Sequence, residues 1–281
     1  PTITTFLLLS LASGTIITIS SSNWLLAWAG LEMSTLAIVP IISKQHHPRA
    51  TEAATKYFLT QATASTLILF SSSINAWKTG QWDISQLSTP ESTIMLTLAL
   101  AMKLGLAPLH FWLPEVLQGS TLSTAMIIAT WQKLAPMALL LLTINSLNHE
   151  TLISLGLLST LLGGWLGLNQ TQTRKIMAFS SIAHMGWLFV ALTTSPNTTL
   201  ITLSIYLLLT TTMFSALIST TSKTLLDLGT APHLLTISML TLMSLGGLPP
   251  LTGFVPKWLI LTTLITNDMP LISTILALST L

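Results

Sequence analysis

The chain has 281 residues, of which 51% are hydrophobic and only 6% charged, with a net charge of +2. Soluble domains carry about 25% charged residues, so this is the composition of an integral membrane protein, and so small a net charge gives no case for nucleic acid. The absence of cysteine excludes thiolate-held iron–sulfur clusters and disulfides, and no GxGxxG or P-loop offers a nucleotide site.

The first residues, PTITTFLLLS, lack a basic n-region and an initiator methionine, so no cleavable signal is expected. Apolar segments separated by polar or Pro/Gly/Asn punctuation follow at 3–20, 24–43, 53–73, 93–113, 122–143, 151–169, 174–193, 199–220, 233–265 and 270–281. At ~20 residues per span they predict an all-α, polytopic transmembrane helix bundle. The last run, ISTILALSTL, is too short to span and reads as a truncation, with further helices beyond Leu281. If each segment crosses once, one side of the membrane collects Lys44, Arg49, Lys56, Arg174, Lys175 and Lys223, and the other Lys78 with Asp83, Glu91, Glu150 and Asp268. This bias puts the basic loops and the N-terminus on the cytoplasm-equivalent side.

Full charges remain inside the predicted spans at Glu32, Lys103, Lys133 and Lys257. Each costs roughly 2.5–3.5 kcal/mol at mid-depth on insertion scales, which makes an intramembrane charge a functional candidate by default. In LALAMKLGLAPLHFWLPEVLQG, Lys103 stands at mid-span and Pro108 should break the helix near Gly105–Pro108, leaving unpaired carbonyls beside the charge. His110 would follow about 10 Å along the same face if the helix continued. The ninth segment carries Gly246–Gly247 and Pro249–Pro250, so 246–253 should be non-helical. Backbone of that kind belongs inside protein or beside water, so Leu248–Gly253 should face the bundle interior, with Lys257 near a hydrated cavity.

The fourth and ninth segments thus look alike, each with a lysine close to a proline break, and an odd separation reverses the direction of equivalent helices. That pattern predicts two inverted five-helix repeats, 1–143 and 144–281, with two discontinuous helices. In this scheme His184 of SSIAHMGW lies opposite Glu32 of WAGLEMST. Desolvation disfavours a buried ammonium and a nearby carboxylate favours it. One such pairing at ~4 Å and an effective dielectric of ~20 is worth about 4 kcal/mol, enough to poise a proton. Glu32 and Lys103 should therefore lie within one ion-pair distance or one water. Lys133, His184 and Lys257, with His110 as a possible relay, would continue a polar axis. His46–His47 and His149 read as solvated rather than metal-binding, and Glu115 as a cap of the half-helix at the membrane edge.

The runs AMKLGLAPLHFWLPEV, TWQKLAP, GGWLGLNQTQTRKIMAFSSIAHMGW and SLGGLPPLTGFVPKW resemble the antiporter-like membrane subunits of respiratory complex I, nearest those of vertebrate mitochondria, over essentially the whole chain. The resemblance implies the mitochondrial inner membrane, with the basic loops and N-terminus toward the matrix. It also implies Glu32 paired with Lys103, Lys133 linking half-channels and Lys257 ending the path. Bacterial members have extra N-terminal helices that this chain lacks, and the missing C-terminal helices depart from the family pattern. By the same resemblance the chain is a subunit of an H⁺-translocating NADH:ubiquinone reductase that itself binds no cofactor. NADH, FMN, iron–sulfur clusters and ubiquinone would belong to partner subunits. Its partners would be neighbouring antiporter-like and small membrane subunits and lipids. The alternative is a subunit of a multisubunit cation/proton antiporter, using Na⁺ in place of redox drive.

Overall fold

A chain this rich in threonine and serine can bury its hydroxyls in an apolar setting because they bond back to carbonyls three or four residues earlier. Thr18 to Thr15, Ser34 to Leu31 and Thr202 to Thr199 do so at 2.7–2.8 Å. The computed structural model describes residues 2–44, 47–220, 222, 224, 227 and 232–280, so His46 and Lys223 lie outside it. The helices are α1 (Thr2–Ser20), α2 (Trp24–Ser43), α3 (Pro48–Thr79), α4 (Pro90–Leu104), α5 (Trp112–Gly119), α6 (Leu122–Ala129), α7 (Leu134–Leu142), α8 (His149–Leu168), α9 (Thr173–Thr194), α10 (Pro196–Thr220), α11 (Pro232–Gly246), α12 (Phe254–Thr266) and α13 (Pro270–Ser279). Among the described residues six helical stretches are long and apolar enough to cross a membrane unaided. No strand occurs among the described residues.

The chain divides into two compact units. One comprises Pro1–Gly105, Leu109–Thr124 and Trp131–Thr151, and the other Leu106–Pro108, Ala125–Thr130 and Leu152–Leu281. In the first, α1 and α2 cross where a Cβ on Gly14 or Gly30 would stand 2.7 or 2.8 Å from the other's carbonyl oxygen. Small residues that let backbones approach are how helices pack where lipid removes the hydrophobic drive. α3 is longer than the 53–73 expected from apolarity. His47 Nδ1 accepts the Arg49 N–H at its start, Pro48 occupies the first turn, and Gly80 ends it at φ 72°. Its 32 residues span about 48 Å against a hydrocarbon core of ~30 Å, which carries Glu52, Lys56 and Lys78 beyond the apolar layer.

The fourth segment breaks where expected. α4 stops at Leu104, Gly105 takes the left-handed conformation at φ 77° and donates to the Ala101 and Met102 carbonyls, and α5 resumes at Trp112. The fifth segment is interrupted too, in the turn before Pro136, which has no N–H to offer the Gln132 carbonyl. A 3-10 turn over Trp131–Lys133 separates α6 from α7, and Gln132 ties it to α2 by donating to the Ser34 carbonyl at 3.2 Å.

The second unit repeats this order of elements. α8 and α9 approach at Gly156 and Gly186, where a Cβ on Gly186 would meet the Gly156 carbonyl at 2.7 Å. α12 and α13 bury Ile260, Leu264 and Leu276 against Trp187, Val190 and Ala191 of α9. The second break runs from Gly247, at φ 81°, to Gly253. Its setting corrects the expected one, because Leu248, Pro249, Pro250 and Thr252 are exposed and only Gly253 is buried. At the first break the 3-10 turn and α7 pack on α4, whereas at the second α11 packs on α10 and α12 on α9, α10 and α13, which covers Gly253 and leaves the residues before it open.

Candidate functional site

In the first unit Lys103 ends α4 with only 6% of its surface exposed, in the turn where the helix dipole favours a cation. Glu32 faces it from α2, close enough for its charge to act on Lys103 and also on the buried Tyr57 of α3. Among the described residues no direct ion pair joins Glu32 and Lys103, and neither Glu32 Oε2 nor Lys103 Nζ has a hydrogen-bond partner. The expected pair is therefore not in direct contact, although the two charges act on one another. Lys133 is 2% exposed at the end of the 3-10 turn. His110 is buried too, but it lies in the irregular stretch between α4 and α5, stacked on Phe111 at 4.4 Å. It is not the helical neighbour of Lys103, since the helix does not continue.

In the second unit His184 and Lys257 line one small pocket with Trp187, Thr202 and Tyr206. A pocket thus lies beside Lys257, with a mostly apolar lining. His184 Nδ1 lies 2.6 Å from the Ser180 carbonyl. A carbonyl only accepts, so Nδ1 carries the hydrogen and Nε2 is the basic nitrogen. Tyr206 tilts against the imidazole at 5.5 Å, and its hydroxyl donates to the Ala129 carbonyl at 3.0 Å, where α6 ends. Lys257 folds back over its own break. Its Nζ donates to the Gly246 carbonyl at 2.8 Å and stands 5.9 Å from the Trp187 ring.

The two breaks share a pattern that refines the expected equivalence of their lysines. GLAPLHFWLPE from Gly105 matches GLPPLTGFVPK from Gly247, so Lys257 occupies the register of Glu115, and Leu245 that of Lys103. Counted from the crossing glycines, Glu32 follows Gly30 by two positions and His184 precedes Gly186 by two, so they too are not at matching positions. Tyr57 and Tyr206 were not singled out by sequence, although they are the chain's two tyrosines, each in the third helix of its half and each fully buried. Glu115 pairs with Lys56 at 2.6 Å rather than capping alone, and Lys78 pairs with Glu91. Among the described residues no three metal-ligating side chains converge.

The model of the family "NADH:quinone oxidoreductase/Mrp antiporter, TM" matches residues 21–281. NADH-ubiquinone oxidoreductase chain 2 of Struthio camelus is 58% identical over 98% of this chain and 80% of its own length. The protein of the same name from Oncorhynchus mykiss is 55% identical over 100% of this chain and 82% of its own. The chain thus spans about four fifths of these relatives. Among solved structures, a chain of respiratory complex I from Thermus thermophilus superposes with a TM-score of 0.91 at 28% identity, over all of this chain and 67% of that one. A chain of the Mrp complex from Dietzia sp. DQ12-45-1b superposes at 0.81 with 17% identity, over 98% of this chain and 58% of that one, a likeness of fold.

Proposed function

The chain belongs to the NADH:quinone oxidoreductase/Mrp antiporter membrane family, and from that membership we propose that it carries protons at its two helix breaks as a core membrane subunit of H⁺-translocating NADH:ubiquinone oxidoreductase. It is a multi-pass protein of the mitochondrial inner membrane. The observation that supports the role of its residues is the buried, unpartnered Lys103 beside a helix break within electrostatic range of Glu32.

When Glu32 and Lys103 draw together, the carboxylate–ammonium form is favoured. When they part, the desolvated ammonium loses its compensation and yields its proton. Lys133 is the next carrier in the first half, with His110 as a possible relay. In the second half the Nε2 of His184 accepts a proton inside the pocket that Lys257 lines, and Lys257 ends the path. The halves are assigned as 1–143 and 144–281. The basic loops, with Lys44 and Arg49, face the matrix by charge bias. NADH, FMN, iron–sulfur clusters and ubiquinone are assigned to partner subunits, and the neighbours in the membrane are other antiporter-like and small subunits together with lipid.

The test is NADH-driven acidification by vesicles holding the assembled complex, with and without Na⁺. Proton uptake of equal size in Na⁺-free medium is expected. Uptake that appears only with Na⁺ would favour a cation/proton antiporter subunit instead.

A further inference from the structure

The half-helix α5 is seated on the first turns of α3 along one face. Residues 112, 115 and 119 share that face by helical spacing, as do 49, 53, 56 and 57 on α3. At the outer end Gly119 lies so close that a Cβ there would stand 2.6 Å from Ala53 Cβ and 2.7 Å from the Arg49 carbonyl. In the middle the Glu115 carboxylate meets Lys56 Nζ at 2.6 Å, and Glu52 of the same helix holds Lys56 from the other side at 2.5 Å. At the inner end Trp112 packs edge-on against Tyr57, with centroids 5.7 Å apart and planes at 68°. The indole N–H of Trp112 then donates to the Met102 carbonyl at 3.1 Å. That carbonyl is one that the break releases from the helix ladder, and Met102 is the residue next to Lys103. A continuous chain of contacts therefore runs from an exposed ion pair to the backbone beside the buried lysine. The second break has no matching ion pair among the described residues, since the residue at the register of Glu115 is Lys257, which bonds to its own break.

We propose that Lys56, Glu115 and Trp112 are positioning residues that hold the end of α4, and with it the Lys103 ammonium, in place against Glu32. The proposal rests on the reading that Lys103 carries protons. An exposed ion pair adds little to stability, so its loss is expected to move the lysine rather than to unfold the bundle.

The test measures NADH-driven proton pumping per assembled complex in variants of the full chain. Glu115→Gln, which keeps shape and removes charge, should assemble normally and lower pumping by about threefold to tenfold, since small misplacements of a reacting group are costly. Exchanging the charges, Lys56→Glu with Glu115→Lys, should recover at least about half of the loss. Glu52→Gln should pump as the native chain does, because Glu52 touches α3 alone. Trp112→Phe keeps the ring and removes the donor to Met102, and should lose pumping to a similar degree. It decides the matter if Glu115→Gln fails to assemble. Native pumping by both Glu115→Gln and Trp112→Phe, or equal losses from Glu52→Gln and Glu115→Gln, would overturn the proposal. Native pumping by Lys103→Met would instead overturn the proton-carrying reading on which it rests.

Discussion

The two helix breaks use the same backbone device for different ends. Each begins with a left-handed glycine, Gly105 or Gly247, and reaches a second half-helix by the same leucine and proline pattern. At the first, residues 105–107 are buried, the charge precedes the glycine and lies unpartnered. At the second, the loop is exposed, the charge follows the glycine by ten positions and satisfies a carbonyl of its own break. On the proposed reading, the lysine at the first break answers to a neighbouring carboxylate and the lysine at the second to a carbonyl of its own break.

That contrast predicts a ranking. Lys103→Met should have the largest effect, lowering pumping per assembled complex by about tenfold or more, a low value for the loss of a positioned proton carrier. Lys257→Met should cost about threefold, with Lys257→Arg retaining most of the activity because a cation still reaches the Gly246 carbonyl. A Lys257 effect as large as that of Lys103 would break the distinction. Gly105→Ala and Gly247→Ala should each destabilise the complex by about 1–2 kcal/mol through the left-handed backbone, read as a lower melting temperature. They should differ in pumping. A Cβ on Gly247 would stand 2.8 Å from Lys257 Nζ, whereas one on Gly105 makes ordinary contacts at 3.4 Å. Gly247→Ala should thus show the larger change in the behaviour of the second half. The smallest effect belongs to Lys78→Met, which removes an exposed pair with Glu91 and should stay within about 0.5 kcal/mol and native pumping.

Charges and breakers made most of this legible in advance. Lysines and a glutamate in apolar runs stand out, and a glycine followed by proline announces where a helix must stop, so both breaks could be placed from sequence. The interruption at Trp131–Lys133 has a quieter signal in Pro136, which offers no N–H to the Gln132 carbonyl and crowds that turn, and Gln132 then reaches Ser34 on a distant helix. The tyrosines gave no signal, since the hydroxyl of Tyr206 finds its acceptor at Ala129, far away in sequence. The apparent match of Lys103 with Lys257 misled because residue type was weighed before register. Counting from the glycine puts Glu115, not Lys103, opposite Lys257, and Glu115 then turns out to be half of the ion pair that seats α5.

The most direct test of the account is a double-substitution cycle on Glu32 and Lys103, reading protons moved per NADH oxidised by vesicles holding the assembled complex. If the two groups act as one exchange pair, Glu32→Gln, Lys103→Met and the double variant should all fall to about the same residual ratio, as residues acting as a unit do. Losses that multiply in the double variant, or a native ratio in either single one, would contradict it.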